Sequence, residues 1–266
     1  MNSFKIFIFI LLATYLLGGA ILYFLQEQFI FLPESLDQDY EYSFEQNFEE
    51  HNLEMEDGAK INLLHFTLPE SKELIVYFHG NAGSLARWGE VVSPFVDLGY
   101  EVLIVDYRGY GKSTGKRSQV RMLHDADAIY EFAKTKETED RIILFGRSLG
   151  SGFASYLAGK NNPKKLILET PFYSLREVAG SLIPIYPTGF LLKYQLPNFQ
   201  YLEKVETPIY IFHGDQDEIV PFASGKRLYE TLGENAKFIT IEGGHHNDLS
   251  AFDAYWAEME KVLNDE

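Results

Sequence analysis

The chain opens on an unbroken apolar run. Ile6 to Leu25 reads IFIFILLATYLLGGAILYFL, 20 residues without a charge, long enough to cross a bilayer as a helix. No face of it is polar, which argues against a core helix of a soluble domain. Lys5 precedes it, whereas Glu27, Glu34, Asp37 and Asp39 follow. That bias favours the N-terminal end in the cytoplasm and the rest of the chain on the other side. The competing reading is a cleaved signal peptide, with Gly18 and Ala20 near the cut. The run continues past Ala20, and that favours a retained anchor. Tyr23, Phe24, Phe29 and Phe31 at the exit suit either an interfacial belt or packing onto the following domain.

Beyond residue 44 the pattern changes to short β-rich runs separated by helix-length stretches. Asp57-Gly58 marks a hairpin turn between His51–Met55 and Ile61–Leu68. Strands are expected at Glu73–Phe78, Glu101–Tyr107, Arg141–Phe145, Lys165–Glu169, Pro208–Phe212 and Lys237–Ile241. Several are apolar at nearly every position, as strands covered on both faces are. Helices are expected at Leu85–Leu98, with Gly99 as a stop, then Val120–Lys134, Leu149–Gly159, Phe222–Leu232 and Ser250–Leu263. For the last, Ser250 and Asp253 make a capping box. Such alternation predicts an α/β fold, a mostly parallel sheet with helices on both faces. Residues 171–207 break the rhythm with Pro171, Pro184, Pro187, Pro197 and many aromatics, and read as a small lid inserted after a strand. The division is then 1–26 for the anchor and 27–266 for one domain.

Composition narrows the chemistry. Among the 266 residues there is no cysteine, so thiol nucleophiles, zinc-thiolate sites and disulfides are excluded. The formal net charge of −16 repels phosphate backbones and makes nucleic acid an unsuitable partner.

Gly146-Arg147-Ser148-Leu149-Gly150 is a G-x-S-x-G between an expected strand and an expected helix, the setting of a nucleophile elbow. The turn is too tight for side chains beside the serine, hence the glycines, and the helix dipole favours negative charge developing there. Partners should follow in the order acid, then histidine. His213-Gly214-Asp215-Gln216-Asp217 ends one strand and Gly244-His245-His246-Asn247-Asp248 ends the next, leaving Asp215 or Asp217 and His245 or His246 open. Two backbone N–H groups should form an oxyanion hole, one from Leu149 and one from Asn81 in the glycine-flanked His79-Gly80-Asn81-Ala82-Gly83 loop.

The set HGNAG, DYRGYGKS, GRSLG, HGDQDEIVP and GGHHND, behind a single apolar segment, resembles the membrane-anchored α/β-hydrolase-domain serine hydrolases. These are relatives of serine aminopeptidase-like hydrolases and of protein depalmitoylases. The resemblance covers roughly residues 20–260 and implies an α/β-hydrolase fold. It also implies Asp217 as the acid, at the D of H-G-x-x-D-x-x-V-P, and His246 as the base, before N-D. His245 stands where the family usually has Gly or Thr. With Ser148 as nucleophile, the expected reaction is hydrolysis of an ester, thioester or amide through an acyl-enzyme, with no metal or cofactor.

Other motifs read as structural. Gly111-Lys112-Ser113 lacks the first P-loop glycine, since Asp106 stands there. His124-Asp125-Ala126-Asp127 reads as a solvated helix face and not a metal site. Glu169, at another strand end, is an alternative acid. His79, His213, Trp88 and Trp256 read as packing residues. Phe172, Tyr173, Tyr186, Phe190, Tyr194, Phe199 and Tyr201 suggest a lid that takes an apolar acyl or lipid-like substrate. In the alternative of an aminopeptidase-like amidase, an acidic group near the lid, Glu177 or Glu203, could hold the substrate amine. A non-catalytic anchored binding protein is the rival outside enzymes.

Overall fold

The computed structural model describes residues 3–265, so positions 1, 2 and 266 of the expected boundaries lie outside the described residues. In chain order the elements are α1 (Ser3–Ile30), β1 (Leu32–Pro33), β2 (Phe48–Glu54), β3 (Lys60–Phe66), β4 (Leu74–Phe78), β5 (Ala82–Gly83), α2 (Leu85–Asp97), β6 (Glu101–Val105) and α3 (Gln119–Lys134). Then come β7 (Ile142–Arg147), α4 (Gly150–Ala158), β8 (Lys165–Glu169), α5 (Leu175–Leu182), α6 (Thr188–Leu191) and α7 (Asn198–Tyr201). The chain closes with β9 (Ile209–Gly214), α8 (Phe222–Glu230), β10 (Ala236–Ile241) and α9 (Asp253–Leu263).

Eight strands form one sheet in the order β10-β9-β8-β7-β4-β6-β3-β2. β4 and β6 to β10 pair in parallel, and the β2–β3 hairpin closes the far edge in antiparallel register, Leu63 opposite Val105. This is the α/β-hydrolase fold. The hairpin turns at Gly58, which takes φ +79° between the Met55 and Ala59 hydrogen bond, a conformation glycine adopts without steric cost.

Side-chain alternation along the strands divides the core into two layers. Leu74, Val76 and Phe78 of β4 pack with Ala126 and Ile129 of α3 and Phe153 of α4. Ile75 and Tyr77 pack with Val92 of α2 and Met259 of α9. Both strand faces are covered, which is why the central strands carry almost no polar side chains.

Four readings are refined or corrected. The apolar segment belongs to a longer helix, because α1 continues past Leu25 and Gln26 to Ile30. Of the exit aromatics, Phe31 is buried edge-to-face against Tyr194, whereas Tyr23, Phe24 and Phe29 remain exposed. The capping box does not form. Ser250 lies in a 3-10 turn over Leu249–Ala251 that buries Leu249, so α9 starts at Asp253 after Phe252. Asp125 is not on a solvated face: it is buried and takes a two-pronged ion pair from the buried Arg108, Nε–Oδ2 2.6 Å and Nη2–Oδ1 2.7 Å. Arg108 also reaches Asp57 at 2.6 Å, tying the β2–β3 turn to α3. Removing one partner of a buried pair strands the other charge. Arg108→Ala is therefore expected to cost about 3–5 kcal/mol, read as a fall in the urea midpoint.

The G-K-S segment is structural. Lys112 is buried, pairs with Glu50 at 3.0 Å and lies over the Tyr42 ring.

Candidate active site

The carboxyl ends of the parallel strands converge on one edge, where open α/β sheets gather their sites. β7 delivers Ser148, the loops after β9 and β10 deliver Asp217 and His246, and the loop after β4 delivers Asn81.

Ser148 takes φ +50°, a left-handed conformation costing a non-glycine residue about 1–3 kcal/mol. Its N–H donates to the Glu169 carbonyl and its carbonyl accepts from the Ser151 N–H, both at 2.9 Å. The flanking glycines are required by contact. A Cβ on Gly146 would lie 2.7 Å from the Gly150 carbonyl oxygen, and one on Gly150 would run into the Phe78 carbonyl.

A buried hydrogen-bonded chain runs from this serine. Ser148 Oγ lies 2.9 Å from His246 Nε2, and His246 Nδ1 lies 2.8 Å from Asp217 Oδ2. A carboxylate only accepts, so Nδ1 carries the ring proton and Nε2 is left to accept from the serine hydroxyl. Asp217 Oδ1 also accepts from the Ile219 and Val220 N–H groups, at 2.9 and 2.8 Å. The buried His213 Nε2 stands 3.3 Å from Oδ2. Burial by itself would raise the Asp217 carboxyl, but the hydrogen bonds from His213, His246 and Val220 outweigh it and hold the group well below the usual carboxylate range.

The alternative partners are engaged elsewhere. His245 is exposed and turns to Glu218, Nδ1–Oε2 2.9 Å. Asp215 accepts from the Gly243 N–H at 2.7 Å, closing a turn. Glu169 pairs with Arg147 at 3.0 Å and accepts from the Tyr255 hydroxyl at 2.7 Å.

Asn81 and Leu149 both line the same cavity as Ser148. Neither backbone N–H has a partner among the described residues. The loop is held from behind. His79 Nδ1 donates to the Gly80 carbonyl at 2.6 Å, and the Asn81 carbonyl accepts from the Leu32 N–H and the Tyr110 hydroxyl. In a trans peptide the N–H points opposite the carbonyl, so fixing the Gly80 oxygen fixes the Asn81 N–H. His79 is itself stacked on Trp88, with Nε2 3.3 Å from the buried Asp106.

The cavity measures about 440 Å³. Leu175, Val178, Leu182 and Leu191 of the lid form one wall, and Leu22, Gln26, Phe29 and Ile30 of α1 form another. No charged side chain lines it among the described residues. The expected aromatic lining is corrected here, since only Phe172 of the seven reaches the cavity. Tyr173 stacks on Phe199, Tyr186 on Tyr15, Tyr194 bonds to Glu27 and Phe190 is exposed. The contribution of α1 was not legible in the chain's pattern, because an apolar run carries no mark of which face meets the protein. Gln26, the polar residue nearest its end, is the one local hint. It is buried, bonding Leu191 O at 3.0 Å and the Lys193 N–H at 2.7 Å. Away from the site, Glu49, His51 and His65 bring three potential metal donors within 4.8 Å on β2 and β3. There His65 already faces Glu101 and Glu49 faces Lys136.

The family model described as "Serine aminopeptidase, S33" matches residues 69–201. The chain belongs to this α/β-hydrolase family. An uncharacterized protein of Mycobacterium tuberculosis is 33% identical over 205 residues, covering 76% of this chain and 73% of that one. A lysophosphatidylserine lipase, ABHD12 of Macaca fascicularis, is 34% identical over 197 residues, covering 64% of this chain and 48% of the lipase. An esterase of Pyrococcus furiosus superposes with a TM-score of 0.70 at 19% identity, covering 89% of this chain and 98% of its own. With family and fold agreeing, the protein is a hydrolase.

Proposed function

We propose that this hydrolase is a membrane-anchored serine esterase or thioesterase with Ser148 as nucleophile, His246 as base and Asp217 as its orienting acid. The observation that carries the proposal is the Ser148–His246–Asp217 chain opening into an uncharged, mostly aliphatic cavity. His246 Nε2 takes the Ser148 proton as Oγ attacks the acyl carbon. The Asn81 and Leu149 N–H groups receive the developing oxyanion. The tetrahedral species collapses, the leaving alcohol or thiol takes the proton from His246, and the acyl group stays on Ser148. Water, deprotonated by the same nitrogen, then attacks the acyl-enzyme and restores the serine.

An acyl chain suits the walls. Related proteins named as a lipase and an esterase support that substrate class. An aminopeptidase-like reaction fits less well, because a substrate ammonium would need an anion in the cavity. Glu177 is held by Ser224 and Arg227, Glu203 is exposed, and neither lines the cavity. Burying each further methylene contributes about 0.8 kcal/mol. For p-nitrophenyl esters, kcat/KM is therefore expected to rise roughly fourfold per added carbon from acetyl towards octanoyl, with amino-acyl amides poor throughout. A flat profile would remove the acyl-chain reading.

In the same proposal α1 crosses the bilayer, with the catalytic domain on the non-cytoplasmic side. Its apolar side chains are exposed along almost its whole length, and the Lys5-before, acids-after bias orients it. A fluorophosphonate probe should label the full-length protein in the membrane fraction and fail to label Ser148→Ala. No labelling of folded wild type would overturn the nucleophile assignment and favour a binding role.

A further inference from the structure

We propose that the lid tip, Leu182 to Leu191, is immersed in the bilayer crossed by α1, and that substrate enters the cavity from the membrane as a bilayer-resident acyl ester. This rests on the reading of α1 as a spanning anchor and of Ser148 as nucleophile.

The argument begins with depth. The charge-free run Ile6–Leu25 rises about 30 Å as a helix, the thickness of the hydrocarbon core. None of it can be spared if the helix is to cross. Yet the lid grips α1 far inside that run. Tyr186 stacks on Tyr15 at 4.7 Å, and its hydroxyl donates to the Tyr15 carbonyl. The Tyr15 hydroxyl donates back to the Ile185 carbonyl at 3.0 Å. Gly18 and Gly19 leave room for the Tyr186 ring to lie against the helix. Tyr15 is ten residues before Leu25, or about 15 Å deeper at 1.5 Å per residue. Ending the membrane at Thr14 would leave about 14 Å of apolar helix, which does not span. A spanning α1 therefore carries the lid tip into the lipid.

The lid's composition agrees independently. No charged residue occurs between Val178 and Leu192. Phe190 is 90% exposed and Ile185 70%, on a surface that would be a poor one against water. Charge returns at Lys193, whose ammonium lies 4.4 Å from the Tyr23 ring centre, near the end of the charge-free run of α1. Both charge-free segments thus end at one level, with a lysine and an aromatic ring where headgroups begin. The cavity extends from Ser148 to Leu22 and Leu182, side chains at or below that level. An acyl chain can pass from lipid to the serine between α1 and the lid without crossing water.

Ile185 and Phe190 do not line the cavity, so they test the proposal without altering the site. Full-length Phe190→Trp, reconstituted in phosphatidylcholine vesicles, should be quenched by lipids brominated on the acyl chain well beyond the wild-type signal of Trp88 and Trp256. Ile185→Glu with Phe190→Glu should retain fluorophosphonate labelling of Ser148 and turnover of a soluble short ester. The same variant should lose roughly tenfold or more on a long-chain acyl ester presented in vesicles, because charged side chains are expelled from hydrocarbon. Quenching no greater than wild type, or undiminished turnover of the vesicle substrate, would overturn the proposal. Loss of labelling in wild type would overturn the nucleophile instead, leaving the quenching result to stand on its own.

Discussion

Ser148→Ala is expected to lower kcat for a soluble ester by roughly 10⁴–10⁶-fold, leaving the urea midpoint nearly unchanged. The hydroxyl makes one hydrogen bond, to His246, and deleting it opens no core cavity. His246→Ala should be about as inactive, and the double variant no worse, since the two groups act as one unit. His245→Ala separates the assignment from its neighbour. That ring is exposed and bonded to Glu218, so activity within about threefold of wild type is expected on the scale of a surface change. Steady-state rates on p-nitrophenyl butyrate with all four variants make the check. A Ser148→Ala enzyme keeping a tenth of the activity, or a His245→Ala enzyme losing most of it, would place the chemistry elsewhere.

Gly150→Ala should injure stability and catalysis together. Alanine in place of a helical glycine ordinarily gains up to about 1 kcal/mol. Here the added methyl would run into the Phe78 carbonyl and stand 2.8 Å from that of His79. Both are backbone atoms of the β4 end, with no rotamer through which to yield. The start of α4 must then move away from β4, at a net cost of about 1–3 kcal/mol or more. The same movement separates the Leu149 N–H from the Asn81 N–H. Loss of one oxyanion donor lowers kcat by about 10²–10³-fold. Denaturant midpoints and kcat should both fall. Gly152→Ala, which meets only the flexible Leu196 side chain, should be milder in both, and equal effects would contradict the backbone argument.

Much of the scaffold was readable along the chain. The β8 strand falls at Lys165–Glu169 as expected, and the other sheet strands within two or three residues. Their apolar runs follow from burial on both faces, a local consequence of lying inside a covered parallel sheet. The elbow was legible for a similar reason. Steric exclusion at Gly146 and Gly150 and the forced φ of Ser148 act within a few residues. The misreadings have long-range causes. Asp125 looked solvated because its partner Arg108 lies 17 residues away, in the turn after β6. The lid aromatics looked like a substrate wall, but their partners are Tyr15, Glu27 and Tyr156.

What the sequence by itself determined is the class of element at each stretch outside the lid, the place of the strained serine, and an apolar N-terminal helix with its charge bias. Those properties depend on periodicity, on sterics between near neighbours and on composition. Only the tertiary structure decided which aspartate and which histidine stand within hydrogen-bond reach of Ser148, contacts spanning 98 residues for His246. It alone decided that α1 forms a wall of the cavity and meets the lid across 171 residues. Two adjacent histidines, or the faces of an all-apolar helix, are equivalent to any local rule. The packing of distant segments breaks that equivalence, because only one side chain of each pair can occupy the buried position.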